Sequence, residues 1–235
     1  MRSLVRRIHS WGVPRAQALY TVAGLWLGLA FVLAFVTFLV FVAVAQQMSA
    51  GTLNDWDIAI MRWMNGHSTP GLDGLARQVT QLGSWIVMAV MALLVSAFLW
   101  IHGERRALAL LWIGLAGVYL LDHSLKDFFA RARPDVFEPL TPRPSSYSFP
   151  SGHTLNATVG YTLFAFLVAR LESSRALRAA TFTIAGILIV LVALSRVYLG
   201  VHHPSDVLAG MLVGFTWAMA CVFAVYVLRD LRATR

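Results

Sequence analysis

Six runs of apolar residues, each long enough to cross a bilayer as a helix, are spread along this 235-residue chain, near 20–44, 85–102, 107–126, 153–170, 179–198 and 206–228. A hydrocarbon core about 30 Å thick takes about 20 residues of helix. The expected fold is therefore all-α, a bundle of six transmembrane helices in one domain, 1–235, without internal repeats or low-complexity runs. Composition agrees, with 58% hydrophobic and 13% charged residues, against about 45 to 50% and about 25% in soluble domains.

The first run follows a basic stretch containing Arg2, Arg6, Arg7 and Arg15. It is too long for a signal-peptide core, so it reads as an uncleaved anchor. Twelve of the 19 lysines and arginines fall in the amino-terminal tail, the second-to-third loop, the fourth-to-fifth loop and the carboxy-terminal tail. By the positive-inside rule these are cytoplasmic, in what is expected to be a bacterial cytoplasmic membrane. The net charge of +8 then reflects topology and calls for no nucleic-acid partner. The exceptions are Arg62, Arg77, Lys126, Arg131, Arg133, Arg143 and Arg196, which fall on the outer side and need another cause.

Between the first two spans, Leu53, Trp56, Ile60, Met61, Trp63 and Met64 recur at helical spacing, as do Leu72, Leu75, Ala76, Val79 and Leu82. Two short amphipathic helices in the outer interface are expected, either capping the bundle or forming a rim where lipid enters. Segment 134–150 holds five of the eight prolines, which predicts an ordered loop without helix. Cys221 is the single cysteine, so no intramolecular disulfide forms.

Three polar clusters lie at span ends that share the outer face: Lys126 through Arg133-Pro134, Pro150-Ser151-Gly152-His153, and Ser195-Arg196 through His202 to Asp206. Lys126, Arg133 and Arg196 together suit a phosphate carrying a charge of about −1.5 to −2, with arginine adding a planar fork. Any one of them alone reads first as an interfacial snorkelling residue. Asp122 stands one helical turn before Lys126 and is placed to pair with it. Ser151 and Gly152 open the fourth span, where helix-start amides and a close backbone approach favour an anion, although an ordinary N-cap serine gives the same pattern. His202 and Asp206 are one turn apart, the spacing by which a carboxylate fixes an imidazole tautomer. His203, being adjacent, is expected to point elsewhere. A metal site at His153, His202, His203 and Asp206 lacks paired-histidine spacing and has three cations nearby, so no metal or other cofactor is expected.

The combined pattern, Lys-x6-Arg-Pro, Pro-Ser-Gly-His and Ser-Arg-x5-His-x3-Asp, resembles the type 2 phosphatidic acid phosphatase superfamily, the lipid phosphate phosphatases related to vanadium haloperoxidases. The resemblance runs across the last four spans, including the Tyr198–Gly210 stretch. It implies that His202 attacks phosphorus and carries a phosphohistidine, that Asp206 orients it, and that His153 protonates the leaving oxygen and then activates water. Lys126, Arg133, Ser151, Gly152 and Arg196 are implied phosphate-binding residues. The implied substrate is a membrane lipid phosphate or diphosphate: phosphatidic acid, phosphatidylglycerophosphate or undecaprenyl diphosphate. Two other readings stay open: a transport or scaffold protein that binds anionic lipid at the same charges, and a haloperoxidase-like use with bound vanadate.

Overall fold

A computed structural model describes residues 28–233, and every regular element among them is an α-helix. The basic tail and the first residues of the expected first span lie outside the described residues. The helices are α1 (Gly28–Ser49), α2 (Asn54–Gly66), α3 (Pro70–Gln81), α4 (Trp85–Ile101), α5 (Arg105–Phe129), α6 (Gly152–Leu171), α7 (Arg175–Tyr198) and α8 (Pro204–Ala233). Five of them, α1, α5, α6, α7 and α8, are each long and apolar enough to span a membrane. The second expected span, α4, has 17 residues. It meets the same test only together with α3, across a 48° bend, so the described residues hold five such helices, or six if that bent pair is one span.

The sequence sets the helix ends locally. Thr69 precedes Pro70 at the first helical position and accepts the Leu72 amide at 3.3 Å. Ser84 accepts from Val87 and Ser174 from Leu177 in the same way, each cap being worth about 1 kcal/mol. The outer surface is apolar to a degree water does not tolerate: Leu94 is 68% and Ile101 80% exposed, with Phe31, Val90, Ile113 and Ile187 also open. These chains face lipid, and the protein is an integral membrane protein. Helix α6 is the most enclosed, burying Leu155, Ala157, Val159 and Leu163 among α5, α7 and α8.

Helices α2 and α3 cap the bundle. Met61 of α2 is fully buried against Val197 and Val207, while Trp56 and Trp63 stay exposed. Neither helix lines the cavity described below.

Four helix ends then converge: the end of α5, the start of α6, the end of α7 and the start of α8. The Ser151 amide donates to the Asp206 carbonyl at 3.0 Å, tying α6 to α8. Residues 130–151 form the expected helix-free loop. It leaves α5 through Ala130 in the left-handed region (φ 44°), which turns Arg131 and Arg133 inward. Phe149, fully buried, packs on Phe129 and Phe41 with ring centroids 4.8 and 6.1 Å away. Leu140 donates to the Leu199 carbonyl at 3.0 Å, and Gly200 (φ 75°) turns the chain beneath the Phe137 ring toward His202.

Candidate active site

A cavity of about 520 Å³ opens where these ends meet, and Lys126, Arg133, Gly152, His153, Arg196 and His202 all face it. Six of the eight residues singled out from the sequence are therefore brought to one space. The other two, Ser151 and Asp206, are fully buried behind its wall. The Ser151 hydroxyl accepts from Thr154 at 3.1 Å and does not cap its helix. Its amide, spent on the Asp206 carbonyl, joins two elements instead of facing the cavity.

The cations are held differently. Lys126 pairs with Asp122 at 2.8 Å, as its spacing predicts. A Cβ on Gly152 would stand 2.6 Å from Asp122 Oδ1 and 3.1 Å from Lys126 Nζ, so any side chain there would push against this ion pair. Arg196 is 5% exposed. It donates to Thr80 Oγ1 at 2.7 Å, yet its Nε–H has no partner among the described residues. That donor, on a buried guanidinium beside the cavity, is available to an anion seated there. Arg133 is the organiser of the loop, donating to the carbonyls of Ser146 at 2.8 Å, Val201 at 2.7 Å and Tyr147 at 3.3 Å. Burial lowers its pKa, against the opposing fields of Asp206 and Asp122; an arginine keeps its charge regardless.

Arg133 also fixes the chemistry of His202. Its NH1 lies 3.2 Å from His202 Nε2, and a guanidinium only donates. Nε2 must therefore carry the lone pair and Nδ1 the proton, which assigns the tautomer from the network. On the far side, Nδ1 stands 3.5 Å from Asp206 Oδ2. Between them lies the Ser148 hydroxyl, 3.4 Å from Nδ1 and donating to Asp206 Oδ2 at 2.5 Å. The His–Asp pair expected from spacing is thus a triangle with a serine at its third corner. Burial holds the His202 pKa down at about 3, with Arg196 and Arg133 pushing the same way and Asp206 pulling back. His202 is neutral at pH 7, the form in which a ring nitrogen attacks.

His203 lies outside the cavity lining, yet it reaches the carboxylate behind the wall: its amide donates to Asp206 Oδ2 at 2.8 Å and its Nδ1 is 3.3 Å from the same oxygen. The cause is local, because the turn before Pro204 folds residue 203 back over the first turn of α8. The sequence marked Arg131 only as a cation on the outer side, and gave no sign of Thr80, Ser148, Asp57 or Ser205, which support the site from behind.

The cavity continues inward from the polar end. Tyr119, Val118, Leu115 and Trp112 line it along α5, and Trp85, Met88 and Ala89 line it from α4. From Lys126 to Trp112 is 14 residues, about 21 Å of helix, so a charged head and an apolar slot share one space.

Against known proteins, the family model described as the PAP2 superfamily matches residues 106–230. Phosphatidylglycerophosphatase B of Bacillus subtilis is 34% identical over 178 residues, which cover 75% of this chain and 87% of that protein. An undecaprenyl-diphosphatase of Sulfolobus acidocaldarius is 32% identical over 165 residues, covering 68% and 73%. The crystal structure of the transmembrane PAP2-type phosphatidylglycerolphosphate phosphatase from Bacillus subtilis superposes with a TM-score of 0.76 at 30% identity, covering 84% of this chain and 96% of that one.

Proposed function

This chain belongs to the PAP2 superfamily and is a membrane lipid phosphatase, and on that premise we propose that it removes the terminal phosphate of a long-chain lipid through a phosphohistidine on His202. The observation that carries the substrate class is the shared cavity. A phosphate seated among Lys126, Arg133 and Arg196 has the α4–α5 slot directly beneath it for an acyl or prenyl tail.

In the proposed reaction His202 Nε2 attacks phosphorus while the bond from phosphorus to the leaving oxygen breaks. His153, at the second position of α6 and on the same wall, gives that oxygen its proton. The same imidazole then takes a proton from water as the water oxygen attacks the phosphohistidine, releasing inorganic phosphate and restoring His202. Asp206 and Ser148 hold the Nδ1 proton and balance the charge the ring gains when phosphorylated. The free Nε–H of Arg196, the Arg133 fork, Lys126 and the close backbone at Gly152 stabilise negative charge on the transferring oxygens. Ser151 supports the cradle from behind by fixing α6 against α8.

Among lipids, phosphatidic acid, phosphatidylglycerophosphate and undecaprenyl diphosphate all present the required terminal group. The named activities of the Bacillus subtilis and Sulfolobus relatives support phosphatidylglycerophosphate and undecaprenyl diphosphate respectively. The arginine bias supports an outward-facing site with both termini inside.

Each buried methylene of a tail is worth about 0.8 kcal/mol. Purified enzyme should therefore cleave a long-chain lipid phosphate far more efficiently than the water-soluble phosphate of the same headgroup, in one detergent. Equal efficiencies on the two would remove the lipid reading.

A further inference from the structure

Arg131 is a cation of the outer cluster that takes no part in the cavity wall. Its NH2 donates to Asp57 Oδ2 at 2.8 Å, and its NH1 donates to Asp206 Oδ1 at 2.6 Å and to Ser205 Oγ at 2.7 Å. Asp57, on the capping helix α2, has no exposed surface. Beyond Arg131 it accepts the Ser205 amide at 2.8 Å and the Ser205 hydroxyl at 2.6 Å. The Ser205 hydroxyl thus receives one hydrogen from Arg131 and gives its own to Asp57, so the network closes without an idle proton.

We propose that Asp57 and Arg131 are positioning residues for the phosphoryl transfer, a strut from helix α2 that sets the aim of His202 through Asp206. The role rests on the reading of His202 as nucleophile. The two carboxylate oxygens of Asp206 are divided by this strut: Arg131 takes Oδ1, leaving Oδ2 to Ser148, the His203 amide and the face of His202 Nδ1. Asp57 does two things at once. It holds Arg131 in the bridging position, and by accepting the Ser205 amide it caps α8 from a different helix, with the negative charge at the favourable end of the dipole. If Arg131 served only to balance charge, one carboxylate would suffice; instead its two nitrogens are split between carboxylates 149 positions apart in the sequence. Helix α2 also lies outside the residues matched by the family model, so this strut joins the capping region to the family's catalytic segment.

The test compares purified wild type with Asp57→Asn, Asp57→Ala, Arg131→Lys and Arg131→Ala on a long-chain phosphatidic acid, measuring kcat, KM, the pre-steady-state rate of phosphohistidine formation and the melting temperature. A catalytic group displaced by about 1 Å costs about a hundredfold in rate. The alanine variants should lose about that much in kcat and in phosphohistidine formation with KM unchanged, because the phosphate cradle is untouched. Asp57→Asn should recover part of the loss, since its amide oxygen still accepts the Ser205 N–H. Where an alanine variant does not fold, Asp57→Asn and Arg131→Lys carry the same criterion. A folded variant with wild-type kcat, or a loss confined to KM, overturns the role. A wild type that forms no phosphohistidine instead removes the nucleophile reading, and this role with it.

Discussion

Arg133 NH1 donates to His202 Nε2 across 3.2 Å, so in the resting site the nitrogen proposed to attack phosphorus is already the one that carries the lone pair. The same arginine ties down the carbonyls of Ser146, Tyr147 and Val201. Charge and fork geometry are both in use there. Arg133→Lys keeps the first and loses the second, and kcat on a lipid phosphate should fall about a hundredfold, the order found on removing one oriented donor from a developing anion. Steady-state kinetics on purified enzyme check this; a lysine variant with full activity would reduce Arg133 to a point charge.

His202 links acidity to stability. An unfolded histidine protonates near 6.5, whereas His202 in place does so only near 3. Between those values the unfolded chain binds the extra proton, so His202 costs the fold nothing above pH 6.5 and progressively destabilises it as pH falls from there toward 3. Melting temperatures taken at about pH 7.5 and about pH 5 should therefore fall further for wild type than for His202→Asn. Equal falls would mean that the buried imidazole gains its proton without penalty.

His153 is proposed to act on the leaving oxygen, and a general acid contributes about 10² to 10⁴ in rate. A His153→Gln enzyme should lose that factor on a natural lipid ester. It should lose much less in the phosphorylation step of a substrate whose leaving group departs without a proton, followed as the burst of leaving group. Equal losses on both substrates would take the acid role away from His153.

Orientation follows from where arginine is spent. Arg105 opens α5 and the loop containing Thr141 lies beyond its other end. With Cys221 replaced, a single cysteine at position 141 should react with an impermeant reagent on intact cells, while one at 105 should not. The reverse pattern would turn the protein over in its membrane.

Much of this was legible in the chain. The apolar runs located the helices within a few residues because in lipid the backbone has little choice but helix. Lys126, Arg133, Gly152, His153, Arg196 and His202 stood out because polar clusters at the ends of apolar runs are uncommon and here fall together in one pattern, and all six line the cavity. The supports behind them were not. Asp57 and Ser205 are 148 positions apart and Arg196 and Thr80 are 116 apart, so no local period relates them. They meet only because α2 and α3 fold over the ends of α7 and α8. The His203 contact with Asp206 was hidden for a related reason: the residue lies in the turn before α8, where neighbours do not diverge as they do in a regular helix or strand.

The proposed reaction turns on a covalent bond between phosphorus and His202. Purified enzyme mixed with a lipid carrying a radiolabelled terminal phosphate and quenched under alkaline conditions, where phosphohistidine survives, should retain label on the peptide containing His202. The label should chase off with unlabelled substrate at a rate no slower than turnover, and His202→Ala should neither label nor turn over. Full turnover in His202→Ala, or label found reproducibly on another residue at catalytic rates, would contradict the account.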